Sequence, residues 1–131
     1  MKQYLFVYGT LKNEFAPPEI AGTVKRLKFV GDGFVHGKLY DLGEYPGAVL
    51  GTRDKIFGSI YELPDDENIL RELDNYEGFN PQKSKESLYL RRKIKVYTNN
   101  KTLTSWIYEY NQDLTNKPRI KSGNYSTLQT A

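Results

Sequence analysis

The chain has 131 residues, of which 38% are hydrophobic and 27% charged, a composition typical of a globular protein of one domain. It carries a net charge of +3, one histidine and no cysteine, which argues against a disulfide framework, a thiol nucleophile and a metal site of the zinc type. No apolar run approaches the ~20 residues that span a bilayer, and the start of the chain lacks the pattern of a secretory signal. We therefore expect a single cytoplasmic domain over residues 1–131, with no membrane segment and with the last few residues frayed.

Short runs with a period of two, rich in aromatic and β-branched residues, dominate the sequence and predict strands. In chain order these are residues 3–8, 28–31, 34–41, 57–63, 88–98 and 103–110. Gly31, Gly33 and Gly37 interrupt the second region, as glycines do where a sheet bulges or bends to close a small barrel. Asn99-Asn100-Lys101 predicts a tight connection, so the last two strands form an antiparallel hairpin.

Two stretches predict helices, a weak one from Glu19 to Arg26 and a stronger one from Asp65 or Asp66 to Tyr76. In the second, an aspartate can cap the first turn, which we expect to be acidic. Its apolar residues recur at intervals of three and four and form one stripe, made of Ile69, Leu70, Leu73 and Tyr76. Gly78 then ends the helix.

The segment Val7-Tyr8-Gly9-Thr10-Leu11-Lys12, called the first loop below, closes the first predicted strand. Gly9 lets the backbone turn sharply and leaves several N–H groups without ladder partners, a geometry that suits a carboxylate or a phosphate. A second interpretation stays open, in which Gly9 and Thr10 are ordinary turn residues and Tyr8 simply ends the strand.

Glu77 stands at the C-terminal end of the stronger helix, in Leu73-Asp74-Asn75-Tyr76-Glu77-Gly78. A carboxylate there faces the negative end of the helix dipole and unpaired carbonyls, which raises its pKa. Where Tyr76 and Phe79 also shield it from water, desolvation raises the pKa further, toward the range in which a carboxylate accepts a proton from an amine and returns it. The alternative is an ordinary surface glutamate at a helix end.

Basic residues concentrate in one predicted strand, where Arg91, Lys93 and Lys95 alternate with Arg92, Ile94 and Val96. We interpret them as a solvated strand face in preference to a nucleic-acid contact. For Arg91 we expect a cross-strand ion pair, although its planar fork could also orient a carboxylate.

Several segments between about residue 4 and about residue 125 resemble, in the same order along the chain, segments of the gamma-glutamylcyclotransferase-like (AIG2-like) family, which includes the gamma-glutamylamine cyclotransferases. The first loop is similar to the family's signature loop, and Leu73-Asp74-Asn75-Tyr76-Glu77-Gly78 is similar to the segment that holds its catalytic glutamate. The other matching segments are Gly37-Lys38-Leu39-Tyr40-Asp41-Leu42-Gly43, Tyr45-Pro46-Gly47-Ala48, Gly58-Ser59-Ile60-Tyr61-Glu62-Leu63, Tyr89 with Arg91, and Ile120 with Ser122-Gly123-Asn124-Tyr125. Together these ordered pieces make a specific signal.

The resemblance implies an α+β fold, a small mixed or antiparallel β-barrel with a few flanking helices. It also implies an enzyme that needs no cofactor and releases 5-oxoproline from a gamma-glutamyl amine, amino acid or peptide, as the substrate's α-amino group attacks its own γ-carbonyl carbon. Glu77 would be the catalytic acid and base. The residues expected to bind the substrate are Tyr8, Gly9, Thr10 and Leu11 in the first loop, Tyr45, Pro46 and Gly47 in one pocket wall, and Tyr125 closing over the ligand.

Two other functions are consistent with the sequence. The first is a small-molecule binding module of the same fold without turnover. The second, ranked last, is a single-stranded nucleic-acid binder, since 11 tyrosines and a basic strand could supply stacking and phosphate contacts. We expect a small-molecule partner, with no nucleic acid and no membrane, and a monomer or a weak homodimer. The leaving amine stays open.

Overall fold

Five strands form a closed barrel in the computed structural model, which describes residues 2–9 and 17–125. The strands are β1 (Tyr4–Val7), β2 (Lys28–Asp41), β3 (Pro46–Glu62), β4 (Tyr89–Tyr97) and β5 (Thr102–Tyr110). Around the barrel their order is β1-β3-β2-β4-β5. β1 runs parallel to β5, and every other neighbouring pair is antiparallel. The predicted α+β fold with a mixed barrel is confirmed.

The two long strands differ from the sequence prediction in their length. β2 joins the predicted strands 28–31 and 34–41, and its register against β3 shifts between Phe29 and Gly31 and again between His36 and Gly37. The expected glycine bends are therefore present. β3 begins at Pro46, well before the predicted strand 57–63, because residues 46–50 pair with the end of β2. A proline is tolerated at the first position of a strand, where its missing N–H is not needed by the ladder.

The predicted hairpin is confirmed, since β4 and β5 pair from Tyr89 opposite Tyr110 to Tyr97 opposite Thr102.

Within residues 2–9 and 17–125, the helices with defined bounds are α1 (Pro18–Val24), α2 (Asn68–Glu77) and the 3-10 helix Pro81–Glu86. Asp66 lies two residues before α2 and accepts a 2.9 Å hydrogen bond from the N–H of Asn68, the first residue of the helix. The expectation of an acidic first turn was therefore wrong, because the acidic residues precede the helix. None of these helices has the length and apolar character needed to cross a membrane.

Alternation along β1 divides the core into two layers. Leu5 and Val7 pack outward against the helices, in a cluster that includes Ile20, Val24, Ile69 and Leu73. Phe6 and Tyr8 belong to the barrel interior, with Val35, Leu39, Ile56, Ile60 and Ile107. Each fully buried aliphatic or aromatic side chain stabilises the fold by about 1.5–3 kcal/mol relative to exposure. This packing holds α2 against the barrel, with its C-terminus beside the end of β1.

Candidate active site

A cavity of about 330 Å³ opens where β1 ends, between the barrel and the two helices. Five residues expected from the sequence line it: Tyr8, Gly9, Tyr45, Pro46 and Glu77. The rest of its described lining consists of Phe6, Val7, Pro17, Glu19, Glu44, Tyr76, Leu88, Tyr89 and Tyr108. Its walls are thus mainly apolar and aromatic, with three carboxyl groups.

Glu77 is the last residue of α2, and the turn that follows fixes its place. Gly78 adopts a left-handed conformation (φ 71°, ψ 33°), which favours glycine because a Cβ is strained there. The N–H of Phe79 then donates a 2.9 Å hydrogen bond to the carbonyl of Asp74. The carbonyl of Gly78 accepts a 3.0 Å hydrogen bond from the N–H of Leu88, which ties the turn to the start of β4.

Burial raises the pKa of the Glu77 carboxyl from its ordinary value to about 8. The sequence argument expected a rise from the helix dipole and from desolvation, and burial is the cause found here. Among the described residues, no cation pairs with Glu77 and no hydrogen-bond donor reaches its carboxylate. The group is therefore a weak acid that can hold or release a proton near neutral pH.

Three buried phenols line the cavity together with Glu77, those of Tyr8, Tyr89 and Tyr108. Burial raises the pKa of each, and the nearby Glu77 charge raises each pKa further. All three therefore stay protonated. Their hydroxyls join the walls: Tyr89 donates to the carbonyl of Pro46 at 2.6 Å, and Tyr108 donates to Oδ1 of Asp74 at 2.7 Å.

The hydroxyl of Tyr8 both donates and accepts a hydrogen bond within the protein. It donates to the carbonyl of Tyr108 at 2.5 Å and accepts from the N–H of Ala48 at 3.2 Å. The surface that Tyr8 offers to a ligand is therefore its ring.

Gly9 allows the first loop to approach the start of β3. A Cβ at this position would lie 2.6 Å from Cγ of Pro46, closer than side chains tolerate. Next to Pro46, the ring of Tyr45 lies 6.2 Å from the ring of Tyr89, measured between centroids. Tyr45 and Pro46, the predicted wall, therefore border the same cavity as Gly9 of the first loop and Tyr89 of β4.

The other predicted binding residues do not line this cavity or are not described. Gly47 packs away from it, where a Cβ would lie 2.9 Å from Tyr110. Tyr125 is buried with the barrel interior, and its hydroxyl donates to the carbonyl of Glu44 at 3.4 Å. Thr10 and Leu11 lie outside the described residues. Substrate binding by these four residues stays a prediction.

Sequence reasoning missed the partnership of Arg91. Instead of a cross-strand ion pair, Arg91 makes a fork to Asp74 of α2, with Nε 2.8 Å from Oδ1 and Nη2 3.2 Å from Oδ2. The cross-strand expectation for Arg91 was wrong because the position opposite it is Tyr108, while Asp74 is a buried carboxylate that needs a counter-charge. The signal was a charged residue beside Leu73, on the apolar side of α2.

Tyr89 and Tyr108 received no binding role from the sequence, although both line the cavity. They stand at positions facing the helices on β4 and β5, in the same cluster as Leu73. Across residues 2–9 and 17–125, no group of three or more His, Cys, Asp or Glu side chains could hold a metal ion.

Comparison with known proteins extends these observations. The sequence matches the family described as "Gamma-glutamyl cyclotransferase, AIG2-like" over residues 5–127. No curated protein sequence matches the chain. YkqA from Bacillus subtilis is similar in structure with a TM-score of 0.75 at 24% identity, over 99% of this chain and 42% of that chain. The chain therefore spans less than half the length of YkqA.

Two smaller proteins are similar over most of their length. Protein ytfP from Escherichia coli gives a TM-score of 0.67 at 26% identity, over 97% of this chain and 99% of that chain. An AIG2-like protein from Mus musculus gives 0.64 at 23% identity, over 82% and 76% respectively. These likenesses support the barrel fold.

Proposed function

The chain belongs to the AIG2-like gamma-glutamyl cyclotransferase family, and on this premise we propose that it releases 5-oxoproline and a free amine from a gamma-glutamyl compound. The observation that carries the proposal is Glu77, a carboxyl group with a pKa of about 8 inside a cavity with aromatic and apolar walls. Such a group suits a reaction in which one proton leaves an amine and another returns to an amine.

The first step frees the nucleophile. The Glu77 carboxylate accepts a proton from the α-ammonium group of the substrate, whose reference pKa is about 7.7–8.0. Because this range and the pKa of Glu77 nearly coincide, the transfer costs little free energy in either direction.

The second step forms the ring and breaks the amide. The α-amino nitrogen bonds to the γ-carbonyl carbon, whose oxygen takes up the electron pair as an oxyanion. As the carbonyl re-forms, Glu77 gives its proton to the leaving nitrogen, and the bond between this carbon and that nitrogen breaks. The ring nitrogen still carries two hydrogens and a positive charge, so it gives its second proton to the Glu77 carboxylate, which passes it to the released amine. Nucleophile and electrophile belong to one molecule, so the cavity contributes mainly a folded-back substrate conformation.

In the proposed reaction, the first loop binds the negatively charged groups of the substrate. Backbone N–H groups from Tyr8 onward would hold the substrate's carboxylate or the oxyanion, because Gly9 turns the chain at the end of β1. Tyr45, Pro46 and Tyr89 form the facing wall and keep water from the reacting atoms. The proposed reaction needs no cofactor.

The experiment that tests the proposal measures 5-oxoproline release from gamma-glutamyl amino acids, gamma-glutamyl amines and glutathione. The parent protein is compared with Glu77→Gln, and Glu72→Gln on the same helix is the control. We expect release by the parent and by E72Q, and a loss of about 100-fold to 10,000-fold in E77Q. Equal release by E77Q would contradict the role of Glu77. Ligand binding without release by the parent would favour a binding module instead.

A further inference from the structure

Asp74 is a buried charge one turn before Glu77 on α2, and only 7% of its surface is exposed. Residues three apart on a helix lie about 5–6 Å apart at Cβ, so the two side chains start from neighbouring positions on α2. The main-chain carbonyl of Asp74 also accepts the hydrogen bond from Phe79 that closes the turn after Glu77. Asp74 thus holds the segment that carries Glu77 by its backbone and by its side chain.

Arg91 of β4 balances this charge. Its guanidinium makes the two-bond fork to Asp74, and Tyr108 donates a third hydrogen bond to the same carboxylate. The guanidinium also lies 4.3 Å from the ring centroid of Trp106 and 5.8 Å from that of Phe79, on the far side of Glu77 in sequence. One arginine therefore contacts residues both before and after Glu77.

The two charges act on the same space with opposite sign. Asp74 raises and Arg91 lowers the pKa of Tyr108, which lines the cavity and whose pKa is also raised by the charge of Glu77. Because the carboxylate and the guanidinium of the fork carry opposite charges, the intact pair adds no net charge beside the cavity. Removing one partner leaves a buried, uncompensated charge.

We propose that Asp74 and Arg91 are the positioning residues of Glu77: together they fix the last turn of α2 at the cavity while adding no net charge to it. This inference rests on the proposed function in assigning the task of Glu77, but the charge balance can be measured without turnover. The other titratable groups that line the cavity with Glu77 are Tyr8, Glu19, Glu44, Tyr45, Tyr76, Tyr89 and Tyr108. These remain the same in every variant below.

The experiment titrates the carboxyl carbon of Glu77 by NMR in protein labelled with carbon-13 glutamate, the signal being assigned by its loss in E77Q. Arg91→Met leaves Asp74 unpaired, so the pKa of Glu77 should rise by about one unit. Asp74→Asn leaves Arg91 unpaired, so the same pKa should fall by about one unit. The double variant D74N/R91M should return close to the parent value, because neither charge remains. Arg92→Met breaks the neighbouring pair with Glu109, which keeps its hydrogen bond from the N–H of Leu50, and should leave the pKa of Glu77 unchanged.

Arg91→Lys distinguishes the positioning role of Arg91 from the effect of its charge. This variant also tests the proposal if R91M and D74N do not fold. Lysine keeps the charge but cannot form the fork, so we expect the parent pKa at Glu77 together with a kcat lower by about tenfold or more and a similar KM. Single variants that fold yet move the pKa in the same direction, or leave it unchanged, would overturn the proposal. So would R91K with the parent kcat. Opposed pKa shifts in a protein that releases no 5-oxoproline would uphold the charge balance and contradict the proposed function.

Discussion

The hydroxyl of Tyr8, at the end of the first strand, donates a 2.5 Å hydrogen bond to the carbonyl of Tyr108 in the last strand. It also accepts from the N–H of Ala48 in β3, so one phenol joins three strands at the rim of the cavity. We expect Tyr8→Phe to lower the free energy of unfolding by about 1–3 kcal/mol, because two buried polar groups lose their partner. Chemical denaturation measures this change. Tyr4→Phe in β1 is the control. An equal loss of stability there would show that the hydrogen bonds of the Tyr8 hydroxyl contribute no more to stability than an ordinary tyrosine hydroxyl does.

The pH dependence of turnover should report the base. A carboxyl group with a pKa of about 8 is mostly protonated at pH 6, so kcat/KM should rise about tenfold per pH unit below 8 and level near it. At higher pH it should fall, once the substrate's α-ammonium group has already lost its proton. The measurement is initial rate at low substrate concentration from pH 6 to 10. A level profile from pH 6 upward would indicate a base with an ordinary carboxyl pKa.

The same carboxyl group links stability to pH. Its folded pKa of about 8 lies above the unfolded value of about 4.3, so the folded state binds the extra proton between these values. The parent should therefore lose stability as pH rises from about 4.3 to 8, and no more above it, whereas E77Q should not show this loss. At pH 8.5 we expect E77Q to be more stable by about 1–3 kcal/mol, since solvent at the cavity mouth screens part of the effect.

Thermal unfolding of both proteins from pH 5 to 9 measures this linkage, with E72Q as the control for the helix. A constant difference between E77Q and the parent across that range would argue against a raised pKa.

The turn after Glu77 depends on Gly78. Gly78→Ala forces a Cβ into the left-handed region, 3.2 Å from Cβ of Leu88, and should cost about 1–2 kcal/mol of stability and lower kcat. Gly78→Asn should cost less, because asparagine tolerates this conformation. Gly51→Ala is the matched control, as Gly51 also has a positive φ (97°) but lies in open space outside the cavity. Full activity in a destabilised G78A would show that the turn does not position Glu77.

Charge at the cavity mouth should influence the choice of leaving group. The described lining contains Glu19 and Glu44, both exposed, and no lysine or arginine. Gamma-glutamyl compounds whose leaving amine carries a further positive charge should be favoured over acidic ones by about twofold to fivefold in kcat/KM, less at high salt. The double variant E19Q/E44Q should remove the preference. A preference that survives in it would have to come from other groups.

The barrel could be predicted where local pattern decides the structure. The hairpin of β4 and β5 follows from alternation and from the asparagines between the strands, and the bends of β2 follow from its glycines. The start of β3 was not predicted because Pro46 and Gly47 read locally as a turn, and only pairing with β2 makes them a strand.

The candidate site was predictable in part for the same reason. Glu77 and the first loop were found because a helix end and a glycine turn carry their own signals. The pairing of Asp74 with Arg91 depends on which strand lies under α2, a tertiary relationship that no local pattern contains. Tyr89 and Tyr108 likewise acquire a place in the wall only when the barrel closes.

Because β1 lies between β3 and β5, the first strand of the barrel pairs with its second neighbour only after the last strand of the barrel has been synthesised. A nascent chain that ends before β5 already contains Glu77, yet it lacks the Tyr108 wall and the carbonyl that Tyr8 requires. Loop closure over such a separation is entropically costly and comes late. The cavity is therefore complete only after β5 has joined β1 and closed the barrel.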